Sequence, residues 1–465
     1  MTLSVRQTIF ALASAPGKAG VSIFRISGPQ ALHSIDSLTK LTQPKRNNSP
    51  LTPSHLHLCT VYSALDGQPI DRGMIAFFQS PRSFTGEDVV EFHVHGSIAV
   101  CNSLLSSLAS LPGYRLAERG EFAKRAFLNG KLDLVEAEGL GALIDACSEQ
   151  QRKEAFKHLS GQVTRLIQEW SNKLFEAMAA FEAFIDFGEE EAEALGGESQ
   201  LTLQVCKVVS EVERSISLTL QASSSRRIIQ DGFKVVVVGD ANVGKSSFVN
   251  AVAQRKVSIV APVPGTTRDI VRTWVDLGGW RVEIADTAGI REQLEGENCP
   301  IEREGIALSL EETERADFVI QMIDATNPKF ALEKADLTVF NKCDQLQAKE
   351  IEELRVKYPS ALFISCISPL VGIEEVCEGI VSRISKGLDN VQGEGAFVAN
   401  ARQQEILQEA RNCCLKFMQA ERWKGNVAVG AEYLRMANEA LGRVTGRVDV
   451  ERVLGEIFGK FCIGK

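Results

Sequence analysis

At 465 residues the chain is too long for one ordinary domain, and about three is the expectation for its length. An apolar content of 44% suffices for packed cores, and 24% charged residues is ordinary for a water-soluble chain. The balance of 51 basic against 60 acidic side chains, a net charge of −9, excludes a general polyanion binder, so any nucleic-acid contact has to be local or delivered by a partner.

Residues 1 to about 125 alternate short apolar runs with turn chemistry: Val21–Ile26 before Ser27-Gly28-Pro29, Met74–Phe78 before Ser80-Pro81, and Val89–Val94 before Gly96. Helical patterns over Gln30–Leu38 and Ile98–Leu108 intervene, and 41–55 reads as an exposed loop, which together predict a small α+β domain. From about Glu118 to Gln230 the texture is helical. Leu140, Leu143, Ile144 and Cys147 follow the 3.6 period, as do Leu166, Trp170, Leu174 and Met178. The acidic run Glu189–Glu193 before Gly196-Gly197 reads as a loop between long helices. Phe233 to about Ser385 returns to strand–helix alternation, the signature of a parallel α/β sheet. Beyond Ala401 the chain is helical again, with Ile406, Ala410 and Leu415 on one face. An α/β domain inserted into a helical one is the simplest arrangement. The expected divisions are 1–120, 121–230, 231–385 and 386–465.

The eleven cysteines form no C-x-x-C pair and no Cys/His metal spacing, and so read as reduced thiols. The start Met1–Gln7 is no secretory signal, and no apolar run approaches the ~20 residues of a membrane span. A cytoplasmic protein without a membrane partner is expected.

The chemistry concentrates after the apolar strand Lys234–Val238. Gly239-Asp240-Ala241-Asn242-Val243-Gly244-Lys245-Ser246-Ser247 fits G-x-x-x-x-G-K-[ST], a loop whose backbone amides and following helix surround a nucleotide's phosphates. Lys245 neutralises β/γ oxygens and the Ser246 hydroxyl suits Mg²⁺. Downstream, Ala261-Pro262-Val263-Pro264-Gly265-Thr266-Thr267 offers Thr267 to the same ion. Asp286-Thr287-Ala288-Gly289 ends a strand, with Asp286 able to hold Mg²⁺ through water and the Gly289 amide able to approach a γ-phosphate. In Asn341-Lys342-Cys343-Asp344 the Asp344 carboxylate matches the adjacent N1–H and N2–H donors of guanine, a pair that adenine lacks. Phe363-Ile364-Ser365-Cys366 ends a strand where a backbone amide suits the guanine oxygen. Four motifs in this order, each at a strand's carboxyl end, define a guanine-nucleotide-binding domain. Hydrolysis is less determined. Ile290 occupies the position of a water-orienting glutamine, while Glu292, Glu295, Glu297, Glu302 and Glu304 are all candidates, and Arg268, Arg272 and Arg291 are merely near. His93 and His95 share a strand face but lack a third ligand in sequence, favouring structural roles.

With these residues in view, the chain resembles the MnmE (TrmE) tRNA-modification GTPases from end to end. The resemblance runs through Ala15-Pro16-Gly17, Ser83–Asp88, Arg119–Phe122, Ala126–Leu134, the four nucleotide motifs and the terminal Phe461-Cys462-Ile463-Gly464-Lys465. It implies an N-terminal α+β domain that dimerises and binds folate, and a helical domain interrupted by a Ras-like G domain with a doubly wound sheet. It further implies a homodimer that works with an FAD-dependent MnmG-type flavoprotein, in a heterotetramer or larger complex, on the wobble uridine of certain tRNAs. A carboxymethylaminomethyl or aminomethyl group would be added at C5, its carbon coming from 5-formyl- or methylene-tetrahydrofolate. GTP hydrolysis would be stimulated by K⁺ when two G domains meet. By the same resemblance, Asn242, the Ala261 and Val263 carbonyls and Thr266 surround K⁺, and Glu302 orients water. Arg25, Glu91, Lys131 and Lys465 contact folate. Cys462 stands open between a nucleophile toward uridine C6 and a packed small hydrophobe. The rival reading from another class is a GTP-regulated assembly or ribosome-maturation switch with no modification chemistry.

Overall fold

The structure, a computed structural model, describes residues 7–41, 52–194, 198–223, 226–240, 242–255, 271–286, 313–328, 335–388, 397–419, 427–447 and 451–465. Two compact units emerge. The first comprises Met1–Gly141, His158–Asn172 and Asn438–Lys465; the second comprises Ala142–Lys157 and Lys173–Ala437.

Alternating side chains build the first unit's sheet. Its strands are β1 (Thr8–Leu12), β2 (Ala19–Ser27), β3 (Leu56–Tyr62), β4 (Pro69–Phe78), β5 (Val89–Gly96) and β6 (Tyr114–Leu116). They run in the order β3-β4-β5-β2-β1-β6, with only the β1–β6 pair parallel. Phe24, Ile26, Phe92 and Val94 face a core shared with Ile35 and Leu38 of helix His33–Leu38 and Leu104 and Leu108 of helix Ile98–Ser110. Period-two alternation therefore sends Arg25, Glu91 and His93 to the opposite face.

The chain's last residues belong to this same unit. Leu454, Phe458 and Phe461 pack on Ala123, Leu134 and Ala137, and burying each of the three large side chains contributes about 1.5–3 kcal/mol. Helix Glu451–Phe458 approaches so closely that a Cβ on Gly120 would lie 2.3 Å from the Phe458 carbonyl oxygen. Ile463 then forms an antiparallel bridge with Arg119. Gly464 turns at φ +100°, where any Cβ would come within 2.3 Å of the Leu12 carbonyl oxygen.

Beneath this tail runs a buried polar chain. Arg125 donates to Glu87 at 2.9 Å and to Glu121 at 3.0 Å, and Arg115 grips Glu121 through both terminal nitrogens, at 2.7 and 2.5 Å. Burial alone would raise the Glu121 pKa, but the two arginines and the Glu118 amide outweigh it and bring it down to about 2.

In the second unit the strands are β7 (Phe233–Val238), β8 (Val271–Leu277), β9 (Trp280–Asp286), β10 (Phe318–Asp324), β11 (Leu337–Asn341) and β12 (Leu362–Phe363), ordered β12-β11-β10-β7-β9-β8. All neighbours are parallel except the β8–β9 hairpin, so the expected parallel sheet carries one antiparallel edge. Helices Lys245–Arg255 and Ile373–Leu388 cover one face through Phe248, Val252, Val376 and Ile380. Helix Ala348–Lys357 packs Ile351 and Leu354 against Phe340. The fold is thus a multidomain α/β arrangement, with a doubly wound sheet of Ras-like order set among helices.

Helix Glu198–Ser223 packs along helix Ala401–Met418, where Arg411 donates to Glu213 at 2.8 Å and Ser217 at 2.6 Å.

Three helical expectations need correction. Helix Gln162–Ala194 runs straight through Glu189–Glu193, which was expected to be a loop. Glu and Ala are strong helix formers, and like-charge pairs cost only a few tenths of a kcal/mol each. Helix Leu134–Asp145 ends before Cys147 and buries Leu134, Val135, Ala137 and Gly139, leaving Ile144 exposed. Its apolar residues surround it too fully for periodicity to choose the inner face. In Ala401–Met418 the buried positions are Gln403, Leu407, Ala410, Cys413, Cys414 and Phe417, so Ile406 and Leu415 only flank the inner face. Among the described residues, no helix is long and apolar enough to cross a membrane.

Glu121 has a folded-state pKa depressed from 4.5 to about 2, so its stabilisation is complete above pH 4.5 and is lost as pH falls toward 2. Thermal unfolding of the first unit is expected to lose up to about 3 kcal/mol across that window. Glu121→Gln should lower the midpoint at pH 7 and flatten the acid limb; an unchanged limb in calorimetry would remove Glu121 from the stability of this unit.

Candidate functional site

At the carboxyl edge of the second unit's parallel strands, β7 gives way to the phosphate loop, β9 ends in Asp286, β10 in Asp324 and β11 in Asn341. Parallel register aligns these ends, with Val237 opposite Asp286 and Asp324 opposite Asn341. A ligand held there meets residues that follow or end β7, β9, β10 and β11.

The loop's glycines are required by close approach. A Cβ on Gly239 would lie 2.3 Å from the Met322 carbonyl oxygen, and one on Gly244 would lie 2.2 Å from Asn341 Nδ2. Lys245, 3% exposed, donates its ammonium protons to the carbonyls of Gly239 at 3.0 Å and Asp240 at 2.8 Å. The cation is thereby held over the loop, where phosphate oxygens can take the place of these carbonyls. Ser246 Oγ donates to Asp286 Oδ2 at 2.5 Å. Two hard oxygen donors from separate motifs thus meet at one point, a donor set that fits Mg²⁺. Asn242, expected at K⁺, is exposed and held at φ 61°. Val243 is buried, and Ser247 is exposed on the first helical turn.

Base recognition is built one layer further. Asn341 Nδ2 donates to the Val243 carbonyl at 2.8 Å, so this asparagine ties the base-selecting strand end to the phosphate loop. Lys342, at φ 67°, extends its ammonium to Asp324 Oδ2 at 2.6 Å. Burial pushes the Asp324 carboxyl up, but hydrogen bonds from Lys342 and Thr326 outweigh it and hold the pKa below the ordinary value. Ser365 Oγ donates to Asp344 Oδ1 at 2.6 Å, fixing the carboxylate that would read guanine. The Ser365 amide donates to the Val371 carbonyl at 3.0 Å. The Ser365 hydroxyl acts through Asp344. Asp324 and this hydroxyl escaped sequence reasoning, although Asp324 ends its strand as Asp286 does. Ala261, Pro262, Val263, Pro264, Gly265, Thr266, Thr267, Thr287, Ala288, Gly289, Ile290 and Glu302 lie outside the described residues.

A second cluster occupies the sheet face opposite the core in the first unit. Arg25 Nε donates to Glu91 Oε1 at 2.8 Å, and His93 Nε2 lies 3.4 Å from the other carboxylate oxygen. Burial pushes the Glu91 carboxyl up, but His93 and Arg25 together keep its pKa below normal, so it is ionised near neutrality. The Arg25 guanidinium also lies 5.1 Å from the Phe84 ring centroid. Gly464 packs against Leu12 and Ala13 at the end of β1, whose Ala11 pairs with Arg25, so the tail sets Lys465 beside this pair. Burial, then the Arg25 charge, lowers the Lys465 pKa, while Glu91 opposes them. Lys131 is exposed and packs its methylenes against Gly86 in the Ser83–Asp88 loop. His95 takes a different carboxylate, Asp71, at 2.9 Å, so the two histidines do not converge. Cys462 is exposed, and its carbonyl accepts from Gly120 at 3.5 Å.

A phosphate loop, a Ser–Asp oxygen pair and a base-reading aspartate, all hung on one parallel sheet edge, make the chain a P-loop GTPase with appended domains. Its family follows from comparison. The MnmE helical domain family matches residues 134–462, and the family of the GTP-binding protein TrmE N-terminus matches 8–131. The chain is 35% identical to the tRNA modification GTPase MnmE of Orientia tsutsugamushi, over 99% of both chains. It is 37% identical to that of Agrobacterium fabrum, over 98% of this chain and 99% of the other. It is also 37% identical to the human mitochondrial 5-taurinomethyluridine-[tRNA] synthase subunit GTPB3, over 98% and 93%. The chain belongs to the MnmE family of tRNA modification GTPases.

Ser365→Ala removes the hydroxyl that orients Asp344 and should weaken GTP binding by about 1 kcal/mol, roughly fivefold, with Mg²⁺ dependence unchanged. Titration calorimetry checks this; wild-type affinity would mean that Asp344 is oriented without Ser365.

Proposed function

We propose that this protein hydrolyses GTP to drive modification of the wobble uridine of certain tRNAs, adding a carboxymethylaminomethyl or aminomethyl group at C5 with an FAD-dependent flavoprotein partner. The observation that carries the reading is the meeting of Arg25, Glu91 and Lys465 in one unit, with the exposed Cys462 on the same tail. An assembly switch has no use for such a cluster. A tetrahydrofolate derivative bound there would supply the one-carbon unit. The ionised Glu91 suits pterin N–H donors, and Lys465 suits a glutamyl carboxylate. Lys131 joins this set by family resemblance. The divisions at 120, 230 and 385, the homodimer formed through the N-terminal domain and the cytoplasmic setting belong to the same proposal.

In the G domain, Lys245 draws charge from the β/γ oxygens, Ser246 and Asp286 hold Mg²⁺ with Thr267, and Asp344 selects guanine. No arginine of the motif loops is assigned to the γ-phosphate. K⁺ held by Asn242, with the Ala261 and Val263 carbonyls and Thr266, would put positive charge there, and Glu302 would orient the attacking water.

GTP turnover in KCl should exceed that in NaCl at matched ionic strength, where screening is equal. Equal rates would leave a GTPase whose γ-phosphate charge is met otherwise. Cys462→Ser should abolish tRNA modification while leaving GTP turnover at its wild-type rate. Retained modification, read by nucleoside mass spectrometry, would make the thiol a packing group.

A further inference from the structure

The first unit holds a cleft of about 790 Å³ that shares no residue with the Arg25–Glu91–Lys465 cluster. Its lining includes Arg115, Arg119, Lys124 and Arg125 against Glu118 and Glu121, over an apolar floor that includes Leu128 and Phe458. In a chain of net charge −9, an excess of cations around a concave site is a local reversal of sign. The four cations are not equivalent. Arg115 and Arg125 are committed to Glu121 and Glu87. Arg119 and Lys124 are exposed, and their side chains make no hydrogen bond or ion pair among the described residues. Glu118, also exposed, lies near Arg115, whose pKa is raised first by its hydrogen bonds to Glu121 and last by the Glu118 charge.

The cleft adjoins the terminal cysteine. Arg119 pairs with Ile463 across a β-bridge, and the Gly120 amide donates to the Cys462 carbonyl at 3.5 Å. We propose that this cleft is where single-stranded RNA docks, with phosphates on Arg119 and Lys124 and a base over Leu128, delivering a uridine toward Cys462. This deepens the tRNA-modification reading and rests on it. A nucleotide combines one anionic group with one flat, apolar-faced base, which suits two uncommitted cations beside the half-exposed Leu128, at 53%. Of the two carboxylates that line the cleft, Glu121 is held by Arg115 and Arg125, which leaves Glu118 to repel a phosphate backbone, a weakening role.

The test uses the full-length protein and a synthetic, fluorescently labelled anticodon stem-loop RNA, with binding read by anisotropy across a salt series. Arg119→Gln with Lys124→Gln should weaken binding about 20-fold near 0.1 M salt and reduce the slope of log affinity against log salt by about 1.4, the counterions of two single-strand phosphates. Glu118→Gln should tighten binding about two- to fivefold, a gain that a folding defect cannot produce. GTP turnover should be unchanged in both variants. Wild-type affinity and slope in both would overturn the cleft assignment while leaving the tRNA reading intact. Failure of the wild-type protein to bind the RNA would overturn both.

Discussion

The hydrogen bond from Asn341 Nδ2 to the Val243 carbonyl, 2.8 Å long and fully buried, is the constraint on which the nucleotide site depends. It joins the end of β11 to the phosphate loop, so the element that reads a base and the element that holds phosphates keep one spacing. Gly244 exists to permit it, since any side chain there would occupy the space of the amide. From that tie the rest follows outward. Lys342 turns through a left-handed conformation onto Asp324, and Asp344 is presented to the Ser365 hydroxyl. Ser246 meets Asp286 on the other side of the loop. A guanine nucleotide has several rotatable bonds between base and phosphates, and a rigid tie between their two receptors selects the conformer in which both are held.

The first unit solves a different problem: it keeps charged groups working on a sheet face that carries little core. Arg25, Glu91 and His93 lie opposite Phe24 and Phe92, and the same alternation that fills one face with phenylalanine leaves the other for chemistry. Glu121 and Glu87 absorb the charge of Arg115 and Arg125 below it. The unit thus separates cations that hold the fold from cations that remain available.

Much of this was legible in the residues, for identifiable reasons. Glycine spacing, strand-ending aspartates and the guanine-matching Asp344 are local signatures, and each lies at a strand's carboxyl end. Helix faces were less legible. The inner face of Leu134–Asp145 is chosen by the packing of Gly139 on His158 and Leu159, which periodicity does not see. The acidic run 189–193 misled because charge was read as a break, whereas helix propensity favoured continuation. The roles of Asp324 and the Ser365 hydroxyl were illegible because they exist only between strands. The meeting of Lys465 with Arg25 and Glu91 was suggested only by family likeness, since nothing local links residues so far apart.

The discontinuity of the first unit has a consequence for biosynthesis. Ala123, Leu134 and Ala137 emerge early, but Leu454, Phe458 and Phe461, which cover them, emerge only after residues 173–437 have been made. At ribosomal rates that interval is on the order of tens of seconds, far longer than helix or hairpin formation. During it, the nascent sheet and helices present an apolar surface with its cover still untranslated, while the intervening nucleotide-binding sheet has all its strands and folds as its own body. The patch is therefore bare for a defined interval, which the tail's arrival ends.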